Sequence, residues 1–242
     1  MMEKPSNDIA ANVAKVRERL RLAAEKAGRD PAEIRLMAVT KTVPPELVNK
    51  AIAAGCGLLG ENRVQELLEK YEKYDLDHAE IHFIGHLQTN KVKYIADKVA
   101  MIQSVDSLRL AKEIDRQCGK LGRKMDILLE VNIAAEESKS GFLQEDAQKA
   151  VEEVAQMDAL NVRGLMTIGP AQAKIDETTA CFEKMRKLFV DIMTKKSDNT
   201  SISVLSMGMT GDYCEAVQYG STLVRVGRGL FGARPSATPV DH

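Results

Sequence analysis

The sequence lacks the features that mark several large classes of protein. It has almost no net charge, because 34 basic residues are balanced by 35 acidic ones to give −1 over 242 residues. This balance argues against a nucleic acid or an anionic membrane surface as the main partner. Residues 1–6 contain no apolar core of a signal peptide, and no apolar run is long enough to span a membrane. We therefore expect a cytoplasmic protein with no nucleic-acid partner and no membrane partner.

Cysteine is scarce as well. The four cysteines, Cys56, Cys118, Cys181 and Cys214, are widely spread and form no C-x-x-C pair. This spacing argues against a disulfide framework and against a zinc site. It is typical of small buried side chains in a reducing compartment, so we expect no metal.

The chain instead repeats short apolar runs that alternate with amphipathic helices. Near-continuous apolar runs are typical of parallel strands that are buried on both faces. A helix is expected first over about 7–27, where apolar side chains recur at helical spacing before Gly28. The eight runs that follow are 34–41, 58–62, 81–85, 101–105, 126–133, 162–168, 202–207 and 223–227.

Eight strand–helix units of this kind predict a single (β/α)8 TIM barrel in the α/β class, with the N-terminal helix as an addition. Helical patterns follow seven of the runs directly, and no Pro-, Gly- or Ser-rich linker divides the chain. We expect one domain, with the barrel over about 34–232 and a short tail over 233–242. A doubly wound open sheet is the alternative, because strands counted from a single sequence are easily merged or split.

Polar residues and glycines lie at the ends of these runs. In a TIM barrel the carboxyl ends of the strands form the functional face. Taken singly, each such residue is more often structural than functional: Asn62 fits a turn, and His82 fits a partly buried histidine with a hydrogen-bond partner. The set consists of Lys41, Asn62, His82 with Gly85, Ser104, Asn132, Met166 with Thr167, Ser206, and Arg225 with Gly227.

Glycine-rich turns follow the last two runs. Residues 206–212 and 227–232 expose backbone N–H groups where helices begin, and such groups bind phosphate. Segment 227–232 matches G-x-G-x-x-G, but only ten residues follow it, too few for a dinucleotide-binding βαβ unit. Phosphate sites in barrels are commonly built from the loops after strands seven and eight. The turns therefore indicate a phosphate-bearing ligand.

Lys41 ends the first apolar run, and Pro44 and Pro45 prevent that strand from continuing. An exposed surface charge is the ordinary role of such a lysine. In a closed barrel, however, strand one neighbours strand eight, so Lys41 would face the phosphate-binding turns. A desolvated lysine is a good amine nucleophile. The combination suggests pyridoxal phosphate, with Arg225 directed at its ring. A sugar phosphate with Lys41 as an electrostatic clamp is the alternative.

Motifs across nearly the whole chain carry a family resemblance. They lie at 38–41 (AVTK), 60–66 (GENRVQE), 82–91 (HFIGHLQTNK), 103–107 (QSVDS), 131–133 (VNI), 139–142 (KSGF), 164–168 (GLMTI), 205–209 (LSMGM) and 220–227 (GSTLVRVG). With these segments in this order, the chain closely resembles the pyridoxal phosphate homeostasis proteins, which are similar to the N-terminal domain of alanine racemase. The departures are small: Thr210 stands where the family often has serine, and Arg63 where an aromatic residue is also common.

The resemblance implies that pyridoxal 5'-phosphate is held as a Schiff base on Lys41. It implies that the family's role is intracellular pyridoxal phosphate (vitamin B6) homeostasis and supply, without an established reaction. The implied partners are the cofactor and, transiently, pyridoxal-phosphate-dependent apoenzymes, and we expect a monomer. The residues implied at the site are Ser206, Met207, Gly208, Thr210, Gly227 and Arg228 for the phosphate, Arg225 for the pyridine nitrogen, and Asn62 and His82 for the pocket lining.

A pyridoxal-phosphate-dependent amino-acid racemase is the alternative from a different class. Alanine racemases look like this barrel plus a β-rich domain, whose counterpart in the partner subunit supplies a tyrosine acid/base. This sequence ends ten residues after its last glycine cluster, and none of its five tyrosines falls at a predicted strand end. A cationic arginine at the ring nitrogen also disfavours protonation of that nitrogen, which weakens the ring as an electron sink. We therefore expect a binding protein without catalytic residues, and weak racemase-like activity stays open.

Overall fold

Eight parallel strands form a closed barrel in chain order. The computed structural model describes residues 6–136, 139–170, 174–195 and 200–232. The predicted TIM barrel is confirmed, and an open doubly wound sheet is excluded because the first strand pairs with the eighth. The strands are β1 (Arg35–Val39), β2 (Leu58–Glu61), β3 (Glu80–Phe83), β4 (Met101–Val105), β5 (Met125–Glu130), β6 (Leu160–Met166), β7 (Thr200–Met209) and β8 (Leu223–Val226).

The helices surround the barrel between the strands. They are α1 (Ile9–Lys26), α2 (Pro45–Ala53), α3 (Val64–Lys70), α4 (Leu108–Lys120), α5 (Ala147–Val154), α6 (Ile175–Met193), α7 (Tyr213–Gln218) and α8 (Arg228–Phe231). The segment between β3 and β4 contains a 3-10 helix, Thr89–Tyr94. It contains two β-branched residues and one aromatic residue, which are modest helix formers, and Gln88 before it makes no side-chain cap. The tail expected over 233–242 lies outside the described residues.

Helix α1 begins where the Asp8 carboxylate accepts the N–H groups of Ala10 and Ala11, at 2.9 and 3.2 Å, as an N-cap does. Its apolar side packs against α7 and α8, and the Asn12 side chain donates to the backbone oxygen of Leu230 over 2.9 Å. The added N-terminal helix thus holds the segment that follows β8, where the sequence predicts part of the phosphate site.

The inside of the barrel is only partly apolar. One interior cluster contains Met101, Leu128 and Met166, and another is centred on Met37. Polar side chains occupy the rest of the space between the strands, and buried polar groups must be hydrogen-bonded to be tolerated. Their arrangement belongs to the candidate site.

The described part of the chain contains no helix that combines the length and the apolar character needed to cross a membrane.

Candidate functional site

The backbone around Lys41 is held in place from both sides. The buried Thr40 hydroxyl donates to the Glu61 carboxylate over 2.7 Å, and Lys70 donates to the Thr40 carbonyl oxygen over 3.0 Å. Thr42 adopts a left-handed conformation, with φ of 62°, which is uncommon outside glycine. These contacts come from β2 and α3, so the turn that carries Lys41 is fixed to the barrel wall.

Lys41 lines a cavity of about 630 Å³ at the carboxyl end of the strands. The cavity also contacts Val39 at the end of β1 and Ile168 after β6. Its size falls within the usual range of small-molecule sites, about 300–1,000 Å³. The predicted site residues that line it are Lys41, Thr210, Arg225, Gly227 and Arg228.

Two turns on one side of this cavity are joined to each other. The Thr210 hydroxyl accepts the N–H groups of Gly227 and Gly229, at 3.3 and 3.4 Å, which connects the turn after β7 to the turn after β8. Gly211 also lines the cavity, and a Cβ added there would meet nothing within 4 Å. Open backbone of this kind, next to the Arg228 side chain, can bind an anion.

Arg225 is the buried cation of the cavity. One guanidinium nitrogen donates to the Ser206 hydroxyl over 2.6 Å, and another donates to the Thr167 carbonyl oxygen over 2.7 Å. Burial lowers the pKa of Arg225 to about 10, against the opposing pull of the Glu130 and Asp212 carboxylates. The guanidinium therefore stays charged at neutral pH and is fixed in one orientation.

A chain of hydrogen bonds continues from Arg225 through the barrel. Ser206 donates to the Gln103 side-chain oxygen over 2.7 Å, and the Gln103 amide nitrogen lies 2.9 Å from His82 Nδ1. His82 Nε2 lies 3.6 Å from a Glu80 oxygen at the opposite end. Arginine can only donate, so Ser206 must accept from Arg225 and donate to Gln103. The Gln103 amide N–H then faces Nδ1, which places the ring proton of a neutral His82 on Nε2.

Burial also lowers the pKa of the His82 imidazole, although Glu80 opposes this shift. The neutral form that the hydrogen bonds require is thus the form that the buried environment favours. All the hydrogen bonds of the interior chain therefore run in one direction, and each donor lies nearer to the 630 Å³ cavity than its acceptor does.

The remaining predicted residues lie elsewhere. Asn62 lines an adjoining cavity of about 280 Å³. The side chains of His82 and Ser206 belong to the interior chain and are not among the residues that line either cavity. Met207 is fully buried in the core, and Gly208 packs against Ala216 of α7. Side chains alternate along a strand, so a residue near a strand end can still point below the mouth of the barrel.

Sequence reasoning missed two residues at the mouth. Glu130 lines the smaller cavity, and Lys139 lines both. The fifth run was read as continuing past Asn132, whereas β5 ends at Glu130, and the acidic residue was the signal of that end. Asn132 instead supports the loop, because its amide donates to the Glu136 carbonyl oxygen over 2.8 Å.

These groups fit pyridoxal phosphate. The cofactor needs an amine for its aldehyde, N–H donors and a cation for its phosphate, and a partner for its ring nitrogen. Lys41, the joined turns with Arg228, and Arg225 supply the three along one cavity. Within the described ranges, no group of three or more His, Cys, Asp or Glu side chains could hold a metal ion.

Comparisons with known proteins agree with this chemistry. The model of the alanine racemase N-terminal domain family matches residues 11–235. The pyridoxal phosphate homeostasis protein of Aquifex aeolicus (strain VF5) is 41% identical over 223 residues, which cover 92% of this chain and 96% of that protein. This chain belongs to the pyridoxal phosphate homeostasis family. The resemblance read from the sequence motifs is thereby confirmed.

Solved structures give the same result for the fold. The structure of PipY from Synechococcus elongatus PCC7942 with PLP bound is 33% identical, with a TM-score of 0.80, and the match covers 93% of this chain and all (100%) of that one. Alanine racemase from Corynebacterium glutamicum is 16% identical with a TM-score of 0.70, and the match covers 99% of this chain and 64% of the racemase. The second likeness shows a shared barrel only.

Proposed function

We propose that this protein binds pyridoxal 5'-phosphate at the mouth of the barrel, with Lys41 as the covalent attachment point, and takes part in homeostasis and supply of the cofactor. The observation that carries the proposal is the meeting of Lys41, the joined turns and Arg225 along one cavity. The bound cofactor would supply an aldehyde that bonds reversibly to primary amines. Membership of the homeostasis family supports the same role.

Each part of the site has a distinct task in this proposal. The Thr210 hydroxyl holds the two turns together, the open backbone at Gly211 would face the phosphate, and Arg228 would add a positive charge. Arg225 would be the partner of the ring nitrogen, and because it can only donate it would keep that nitrogen unprotonated. An unprotonated ring is a weak electron sink, which favours reversible attachment of amines over carbanion chemistry.

The protein is, on this proposal, a carrier and not an enzyme. The described residues that line the 630 Å³ cavity include no tyrosine that could act as a racemase acid/base. The recipients consistent with supply are pyridoxal-phosphate-dependent apoenzymes, contacted transiently by a cytoplasmic monomer.

Absorption spectroscopy tests the attachment. Wild-type protein loaded with pyridoxal phosphate should show the yellow absorbance of a lysine-bound cofactor after desalting, and Lys41→Ala should lose it. Lys50→Ala on α2, an exposed lysine, is the matched control and should keep it. Full absorbance in a folded Lys41→Ala variant would contradict the proposal.

Chiral chromatography tests the carrier role. Loaded wild-type protein incubated with L-alanine should give no D-alanine at turnover rates of ordinary enzymes, about 1–10³ per second. Turnover on that scale would establish the racemase instead.

A further inference from the structure

A second compartment adjoins the proposed cofactor cavity. It measures about 280 Å³ and is lined by polar side chains that include Asn62, Glu130, Asn132 and Lys139. Lys139 and Ile168 line both cavities, so the two are neighbours at the barrel mouth. A space of this size suits a small group or an extended side chain, since it lies just below the range of drug-sized sites, about 300–1,000 Å³.

Glu130 is the acidic group that points into this region. It lies two residues after Leu128 and pairs in register with Met166, and both of those side chains are inside the barrel. Alternation along the strand therefore directs Glu130 inward. The residue is 8% exposed, and no described side chain forms a hydrogen bond or an ion pair with its carboxyl. The Glu130 oxygens are not among the fully buried polar atoms that lack a partner, so they open to the compartment, where a ligand can donate to them.

The cationic neighbours of Glu130 donate their hydrogen bonds to other groups. Arg225 already donates to Ser206 and Thr167, and Lys139 donates to Glu136 and to a backbone oxygen. His86 after β3 also lines the compartment, and its ring contacts Asp106 after β4 at 3.1 Å; Asp106 is the acidic group that acts on Glu130 from outside the lining.

The balance of these influences leaves Glu130 able to change its charge near neutrality. Burial raises the pKa of its carboxyl to about 7, Asp106 adds to the rise, and Arg225 opposes it. Groups that transfer protons efficiently have pKa values close to the working pH.

We propose that this compartment receives the primary ammonium group of an incoming amine and that Glu130 is its proton acceptor. The inference rests on the proposed function, since it assigns a partner to the cofactor site. In the step, one N–H bond of the ammonium ion breaks and one O–H bond forms on Glu130. The electron pair stays on the nitrogen, which would form a C–N bond to a bound cofactor as the C–N bond to Lys41 breaks. The hydrogens that the incoming nitrogen loses would pass to the Lys41 nitrogen, one of them by way of Glu130, so that each exchange conserves protons.

A free amine and the lysine of a recipient protein share this chemistry. Ethylamine and a pyridoxal-phosphate-dependent apoenzyme are therefore the two probes. Glu130 dependence with ethylamine supports a free amine as the occupant, and dependence with the apoenzyme supports a lysine side chain. Dependence with neither probe overturns the proposal.

The first experiment uses protein without cofactor. Nuclear magnetic resonance of ¹³C-carboxyl-labelled glutamate follows the Glu130 signal, assigned by its loss in Glu130→Gln. We expect ethylammonium to shift this signal and to lower its titration midpoint, because a bound cation favours the ionised carboxylate. A Glu130 signal that does not respond to saturating ethylammonium would overturn the proposal.

The second experiment uses loaded protein. Borohydride quenching at timed intervals traps the cofactor on whichever amine holds it, and mass spectrometry measures how much has left Lys41. We expect Glu130→Gln to reach full loading after prolonged incubation but to exchange at least about tenfold more slowly, with a flattened pH profile. Asp126→Asn is the matched control, because Asp126 lies on the same strand at the opposite end and bonds Asn161. It should exchange at the wild-type rate.

The two results separate the possible failures. Wild-type exchange kinetics in a fully loaded Glu130→Gln variant would overturn this inference and leave the proposed function intact. Failure of the wild type to take up cofactor would instead overturn the proposed function, and the experiment on unloaded protein would still decide whether Glu130 binds an ammonium group.

Discussion

The two ends of the barrel carry cavities of nearly equal volume and different chemistry. The mouth cavity measures about 630 Å³, and a cavity of about 590 Å³ lies at the opposite end between α1 and the starts of β1 and β2. The arginines at that opposite end are exposed: Arg17 donates to the Gly55 carbonyl oxygen over 2.6 Å, and Arg21 is paired with two glutamates. The mouth has a lysine, open glycine turns and a buried arginine. Cavity volume therefore does not identify the site, whereas the buried charge and the exposed backbone donors do.

The interior hydrogen-bond chain connects these two ends. It begins at Arg225 under the mouth and ends at Glu80, which forms an ion pair with Arg35 at the opposite end. An arginine and a glutamate thus occur at both ends. Arg225 and Glu130 are buried at the mouth, whereas Arg35 and Glu80 are partly exposed at the opposite end. The difference predicts that equivalent substitutions will have unequal effects.

Arg225→Ala should produce the largest loss of stability. It removes the donors of Ser206 and Thr167 and the cation that favours the ionised form of Glu130, so we expect a loss of about 3–5 kcal/mol. Arg35→Ala is the matched control at the opposite end, and its exposed ion pair should contribute less than about 1 kcal/mol. Urea unfolding of both variants measures the difference. Equal losses would show that the interior does not depend on Arg225.

Glu130→Gln should stabilise the protein in a pH-dependent manner. The folded-state pKa of about 7 lies above the ordinary value of 4.5, so wild-type stability falls as pH rises through this window. The variant avoids that loss. Its gain in the free energy of unfolding should be near zero below pH 4.5 and on the order of 3 kcal/mol above a pH of about 7. Unfolding curves at several pH values measure the advantage, and one that does not change with pH would contradict the account.

Glu80→Gln at the opposite end should change stability with pH in the opposite direction. The His82 ring, with Arg35 assisting, holds the pKa of Glu80 at about 2 against the effect of burial. Glu80 therefore stabilises the protein above its unfolded-state pKa, and this contribution is lost as pH falls toward 2. The variant should be less stable than wild type at neutral pH and should approach it in acid.

The fold could be predicted from the sequence almost completely, and the site only in part. Apolar runs and helical spacing depend on local patterns, which is why the eight strands and α1 were anticipated. Lys41 and Gly227 could be predicted because each ends an apolar run, and Thr210 because the family resemblance implies it. Gln103 and Glu130 could not, because their roles depend on which strands face each other across the barrel, and His82 points inward for the same reason.

Gln103→Leu should interrupt the interior chain. The Ser206 hydroxyl would lose its acceptor and His82 Nδ1 its donor, and we expect a loss of about 1–3 kcal/mol. Gln117→Leu on α4 is the control, because the Gln117 side chain donates to Glu113 on the same helix and takes no part in the interior chain. Thermal unfolding measures both. Unchanged thermal stability of Gln103→Leu would show that the interior hydrogen-bond chain does not hold Arg225.

Gly208→Ala should have an effect of the same size as Gln103→Leu. Gly208 has φ of 91°, and a Cβ there would lie 2.5 Å from the Ala216 Cβ. We expect a loss of about 1–3 kcal/mol from strain and overpacking. Gly211→Ala in the same turn is the control and should be nearly neutral for stability, since its Cβ would enter open space. Equal thermal stability of the two variants would contradict this description of the turn.

The location of the covalent bond tests the central claim most directly. Protein loaded with one equivalent of pyridoxal phosphate, reduced with borohydride and digested, should carry the phosphopyridoxyl group on the peptide containing Lys41. Mass spectrometry of the peptides reads the position. A label on a different lysine, or one spread over surface lysines at both ends of the barrel, would contradict the account.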